Sequence, residues 1–140
     1  MIPTPKPVYQ FVRVVALSPS AARAWRALLL LLVVAVAYLA LSPKPPTSID
    51  LGWDKLNHMA AFTALAFAAT MSTPGSRGVR LALLGSVLAF GGLIEILQLF
   101  VPGRASEWGD LLADSIGVVC GAFIAACWIW AASAQSRRQR

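Results

Sequence analysis

Two short stretches hold most of the residues of this chain that could move a proton, hold a cation or grip a polar ligand. One is DKLNHMAAF, with Asp54, Lys55 and His58; the other is EILQLFVPGRASEWGDLLAD, with Glu95, Gln98, Arg104, Asp110 and Asp114. The second begins inside one very apolar segment and ends inside the next, broken between them by Pro102 and Gly103. Ionisable groups are costly in hydrocarbon, so those carried on spanning helices face a bundle interior or a water-filled cavity. The chemistry open to them is general-base work by His58 or Glu95 with Arg104 stabilising negative charge, or ligand binding by the whole group of eight. Arg104 is the expected counter-charge for Glu95 or Asp114, where a planar bidentate pair would tie the loop down, and it could equally grip a phosphate or carboxylate.

Helical spacing lets these groups converge. Asp54 and His58 are four apart and share a face, with Lys55 adjacent. Gly91, Glu95 and Gln98 also share one side of their helix, and so do Asp110, Asp114, Gly117, Gly121 and Ala125. Gly117, Gly121 and Ala125 form a small-residue stripe of the kind that packs membrane helices closely. That stripe runs directly into the two aspartates, which aims them into the bundle. Asp110, near its helix start, has an equal claim as a cap or dipole partner.

Other constellations are weaker. His58 is the only histidine, so a metal site would need Glu95 and Asp114 beside it; the spacing is not diagnostic, and neither a metal nor any other cofactor is expected. Ser106 with His58 and an aspartate lacks a nucleophile-elbow context. Cys120 and Cys127 are about 10 Å apart along a helix, too far for a disulfide.

The elements that must position these residues follow from composition. The chain has 140 residues, 58% of them hydrophobic and only 13% charged, which is not the balance of a soluble domain. Its apolar residues form four blocks near the length that crosses a bilayer. The expected organisation is an N-terminal cytoplasmic or interfacial segment (1–23), a four-helix transmembrane domain (24–132, with spans 24–41, 53–71, 79–101 and 110–132) and a basic cytoplasmic tail (133–140). A signal peptide is the competing reading of the first span, disfavoured by its long lead-in and by the lack of a clean cleavage site. Short loops make the fold class all-α, an up-down bundle of antiparallel neighbours.

A net charge of +6 invites a nucleic-acid partner, but the bases are dispersed and no aromatic-basic platform accompanies them, so none is expected. Their distribution reads as topology instead. Lys6, Arg13, Arg23, Arg26, Arg77, Arg80, Arg137, Arg138 and Arg140 fall on one side of the alternating spans; Asp50, Asp54, Glu95, Glu107, Asp110 and Asp114 fall on the other, with only Lys44, Lys55 and Arg104 among the bases. By the positive-inside rule both termini are cytoplasmic, and the polar cluster faces out.

With DKLNHMAAF, EILQLFVPGR, DLLAD and Gly117 in hand, residues 50–125 resemble the VanZ-like family of small bacterial membrane proteins. Asp54, Lys55, His58, Phe62, Glu95, Gln98, Pro102, Arg104, Asp110 and Gly117 match its pattern; many members carry Asn where this chain has Asp114. The resemblance implies a four-helix membrane domain in the bacterial inner membrane, associated with the cell envelope, and a link to resistance to the glycopeptide teicoplanin. It implies no established reaction.

Three functions follow in order of expectation. The first is an outward-facing pocket holding the head group of an envelope amphiphile, such as a lipid-linked cell-wall intermediate, with membrane lipids as the other partners. The second is an intramembrane enzyme acting on such a lipid. A transporter comes last, because the cytoplasmic halves of the helices offer Ser86 and little else polar.

Overall fold

A computed structural model describes residues 18–44, 51–104 and 106–137. The expectations for the first 17 residues, for most of the proline-rich loop and for the end of the basic tail lie outside these. Among the described residues the chain is all-α: α1 (Pro19–Leu41), α2 (Asp54–Met71), α3 (Arg77–Gln98) and α4 (Trp108–Arg137).

The helix ends have local causes. Ser18 caps α1 by accepting the Ala21 N–H at 3.1 Å, and Pro19 then supplies a first-turn residue that needs no donor. This cap starts α1 five residues before the expected boundary at residue 24. Ser76 caps α3 in the same way, through Val79. At its other end α3 stops at Gln98 rather than Val101. There the Phe100 and Val101 N–H groups turn back to the Leu97 and Gln98 carbonyls, and Gly103, at φ 82°, adopts a backbone that other residues rarely accept.

Contacts place the ends in two groups. The last turn of α1, the start of α2, the end of α3 and the start of α4 meet at one end. At the other end, Arg26 of α1 donates to the Ser72 carbonyl and Arg80 of α3 to that of Thr73. Met71 packs there with Ala125 and Ala132 of α4. Neighbouring helices therefore run in opposite directions.

α2 is the centre of the bundle. It packs most extensively against α4 and also touches α1 and α3, burying Phe62, Leu65, Ala66, Ala68, Ala69 and Met71. Its alanines let the neighbours approach closely. Phe62 stacks on Phe90 of α3 at 6.4 Å, and Phe67 meets Trp25 of α1 edge-on at 5.4 Å.

The outside is apolar, while part of the inside is polar. Leu30, Leu31, Val34, Val119, Phe123 and Trp130 are exposed, whereas Gln98, Asp110 and Asp114 are almost completely buried. Water would not favour that inversion; a hydrocarbon surround does. α1, α3 and Trp108–Ala134 of α4 are each long and apolar enough to cross a membrane. α2 is less apolar along its length because its first two turns carry Asp54, Lys55, Asn57 and His58. Cys120 and Cys127 are free thiols on the exposed side of α4.

Candidate functional site

The two stretches singled out by sequence come together at one end of the bundle. His58 projects from the second turn of α2, Glu95 from the last turn of α3 and Asp114 from the second turn of α4. His58 Nδ1 lies 2.9 Å from Asp114 Oδ1 and 4.0 Å from Glu95 Oε1. All three side chains are buried, Asp114 completely. Gly91 makes the seat for Asp114: a Cβ there would stand 2.5 Å from Asp114 Oδ2 and 3.0 Å from the Phe62 ring. Shape as well as charge therefore holds the carboxylate in place.

The loop before α4 closes over this corner. Ser106 Oγ donates to Glu95 Oε2 at 3.0 Å, and the Glu107 N–H donates to the same oxygen at 3.1 Å. Glu95 is thereby fixed through Oε2, while Oε1 is buried without a hydrogen-bond partner. Asp114 Oδ2 is likewise buried and unbonded, whereas Asp110 Oδ1, also without a hydrogen bond, is ion-paired with Lys55. An acceptor left unbonded in a low-dielectric interior is costly, so a water, an ion or a ligand donor is needed to complete it.

Lys55 stands at the rim. Its Nζ bonds Glu107 Oε2 at 2.6 Å and lies 3.6 Å from Asp110 Oδ1, its stem resting where Gly109 has no side chain. The ammonium holds the Glu107 carboxyl below its ordinary range, chiefly through that hydrogen bond. The sign is fixed: the clip contributes above the ordinary carboxyl pKa and is lost as pH falls through the lowered one. Both groups are solvated, so the clip's contribution is that of a surface ion pair. Asp54 is exposed at the start of α2, outside the buried corner.

Arg104 does not pair with Glu95 or Asp114 as its charge predicts. Its Nε donates to the Ser42 carbonyl at 3.1 Å and its Nη2 to that of Leu39 at 2.5 Å. Gln98 does the same work beside it, donating to the Ala40 carbonyl at 3.0 Å. The last carbonyls of a helix have no intrahelical partner, and a cation there also meets the negative end of the dipole. Arg104 and Gln98 therefore fasten the end of α1 to the end of α3. Arg104→Leu is expected to strip two carbonyls of their donors and cost about 1–3 kcal/mol. Arg104→Lys should restore only part of this, since an ammonium lacks the planar fork. Thermal melting in detergent checks both; an unchanged Arg104→Leu melt would show that the contact contributes nothing.

The stripe on α4 is seated against α2. A Cβ on Gly117 would meet the Met59 carbonyl at 2.5 Å, and one on Gly121 would overlap the Thr63 carbonyl. Ala125 is fully buried below them. Spacing alone did not pick out Gly109 as a seat, Ser106 as a donor to Glu95 or Glu107 as the partner of Lys55. A glycine or serine in a loop carries no signal of what it will face.

A family model described as VanZ/LLP1 matches residues 8–130. The chain belongs to this family. No curated protein and no solved structure matches it. The VanZ/LLP1 match spans α1, α2, α3 and most of α4, so the polar corner and its packing stripe lie inside the family region. With three helices able to cross a membrane, this is a VanZ-family membrane protein.

Proposed function

We propose that this protein crosses the bacterial inner membrane four times with both termini in the cytoplasm, and that its outward-facing corner binds the head group of a cell-envelope amphiphile. Charge segregation supports the orientation: Arg23, Arg26, Arg77 and Arg80 lie toward one end, the acids toward the other. α2 serves as the fourth span despite its polar first turn. Its 18 residues reach about 27 Å, and the helices around it shield it from lipid.

The observation that carries the head-group reading is the pair of unbonded, buried acceptors on Glu95 and Asp114. With Arg104 committed to α1 and Lys55 to the rim, the pocket offers acceptors and an imidazole. It therefore suits a head group with ammonium or hydroxyl donors, such as the amino sugar or peptide part of a lipid-linked cell-wall intermediate. A link to teicoplanin resistance would follow if that lipid lies on the route to the antibiotic's target.

A second reading, an intramembrane enzyme on such a lipid, is favoured by one specific feature. The His58–Asp114 contact is that of a base with its orienting carboxylate, and Ser106 and Glu95 lie beside it. His58 or Glu95 would then be the general base.

The test combines side and ligand. In a cysteine-free background, Lys44→Cys should react with an impermeant thiol reagent in spheroplasts and Pro74→Cys should not; the reverse pattern would invert the orientation. Lipid copurifying with the wild type should fall at least tenfold in Glu95→Gln, which keeps shape but removes charge. Equal lipid profiles, with both proteins folded, would sink the head-group reading. Conversion of the bound lipid by the wild type alone would establish the enzyme.

A further inference from the structure

We infer that His58, Glu95 and Asp114 form a binding site for one divalent transition-metal ion of the zinc or manganese type. This goes beyond head-group binding and stands whether or not a lipid occupies the corner. One ligand atom from each residue lies within 4.8 Å of the others, and all three residues are buried. The 2.9 and 4.0 Å separations from His58 Nδ1 bracket the roughly 3.3 Å between two ligand atoms bound about 2.0 Å from one tetrahedral ion. Small rotamer adjustments, with the imidazole losing its Nδ1 proton, suffice to admit the ion.

The independent observation is the unpartnered carboxylate. Glu95 is 8% exposed and Asp114 0%, yet Glu95 Oε1 and Asp114 Oδ2 accept no hydrogen bond. Glu95 is held by its other oxygen, through Ser106 and the Glu107 N–H, which leaves Oε1 directed at His58. Outer contacts of that kind orient metal ligands. Two carboxylates around an imidazole need positive charge in a dry interior. Among the described residues, Arg104 is committed to the Leu39 and Ser42 carbonyls and Lys55 to Glu107 and Asp110. An ion from solution supplies what those side chains do not.

The donor set narrows the ion. One imidazole and two carboxylates suit zinc, manganese, iron or cobalt, whereas calcium and magnesium prefer oxygen throughout. A second grouping, Asp54, His58 and Asp110, shares the histidine but includes an exposed member. The first set is buried throughout, and its separations from His58 Nδ1 are those of a closed site.

The experiment uses the full chain in detergent, stripped with a chelator and titrated with zinc chloride by calorimetry, with cobalt(II) as the optical probe. The wild type should bind one zinc per chain at micromolar or lower Kd and give cobalt d–d bands. Glu95→Gln, Asp114→Asn and His58→Ala should each weaken zinc at least tenfold, while Asp54→Asn should change it less than threefold. Circular dichroism and a monodisperse elution profile qualify each variant, and Glu95→Gln, the closest in shape, decides if another fails to fold. No zinc binding by the stripped wild type overturns the inference, as does binding unaffected by Glu95→Gln. Loss in Asp54→Asn without loss in Glu95→Gln also overturns it, by moving the ion to the other grouping. Lipid retained by a wild type that binds no zinc would refute the metal site and leave the head-group reading intact.

Discussion

Gly121→Leu is expected to leave almost no folded protein. A Cβ at this position would already overlap the Thr63 carbonyl, stand 2.9 Å from the Phe67 nitrogen and 3.0 Å from the Ala66 Cβ. Two of those neighbours are backbone atoms of a helix and cannot rotate away, so α4 must lift off α2. Overpacking a core costs about 1–3 kcal/mol where side chains can adjust. Here they cannot, and the loss should exceed that range in a domain whose total stability is of order 5–15 kcal/mol. Gly121→Ala should already lower the melting temperature. Gly92 is the control: nothing lies within 4 Å of a Cβ there, so Gly92→Ala should hold or gain up to about 1 kcal/mol from helix propensity. Cys120→Leu, on the exposed side of α4, should be mild. Fluorescence size exclusion and thermal melts read all four, and similar curves for Gly121→Leu and Gly92→Ala would mean that α4 does not press on α2.

The second large effect belongs to the His58–Asp114 pair. Asp114→Leu keeps a branched side chain of similar outline but leaves His58 buried beside a hydrocarbon group. Removing one partner of a buried, charge-bearing pair costs about 3–5 kcal/mol, whereas replacing both with apolar groups is often tolerated. The double variant His58→Leu/Asp114→Leu should therefore melt well above Asp114→Leu alone, measured on chelator-treated protein so that no metal contributes. Its bound lipid should not return, because the corner would have lost its imidazole and a carboxylate. A double variant no more stable than the single would show that the two residues are not energetically coupled. One that recovers both fold and lipid would show that the pair is only structural. Charge complementarity in the sequence points this type of cycle at Glu95 and Arg104; the geometry redirects it to His58 and Asp114.

The four helices, their order and their approximate extents were legible in the sequence because apolar blocks of membrane length leave few alternatives. So was the meeting of His58, Glu95, Gln98, Asp110 and Asp114, which lie on the facing turns of helices that short loops must fold back on one another. Asp54, expected with them, stands exposed outside the corner, and Lys55 stands at its rim. The packing stripe was legible for the same reason: Gly117, Gly121 and Ala125 share one face, and in a membrane bundle small side chains mark close approach.

Which member bonds to which is another matter. Arg104 has acids near it in sequence, but its donors go to the carbonyls of Leu39 and Ser42, and those acceptors are backbone groups that every residue carries. Only the arrangement of helix ends shows which carbonyls lack a partner. The same holds for the corner itself. Residue types determined that His58, Glu95 and Asp114 could meet, since helical periodicity is set locally by the backbone. Tertiary structure alone decided that they stand within 4.8 Å, with Gly91 clearing space for one carboxylate and Ser106 anchoring the other. Distances of that kind depend on how three helices press together, and packing is a property of the whole chain.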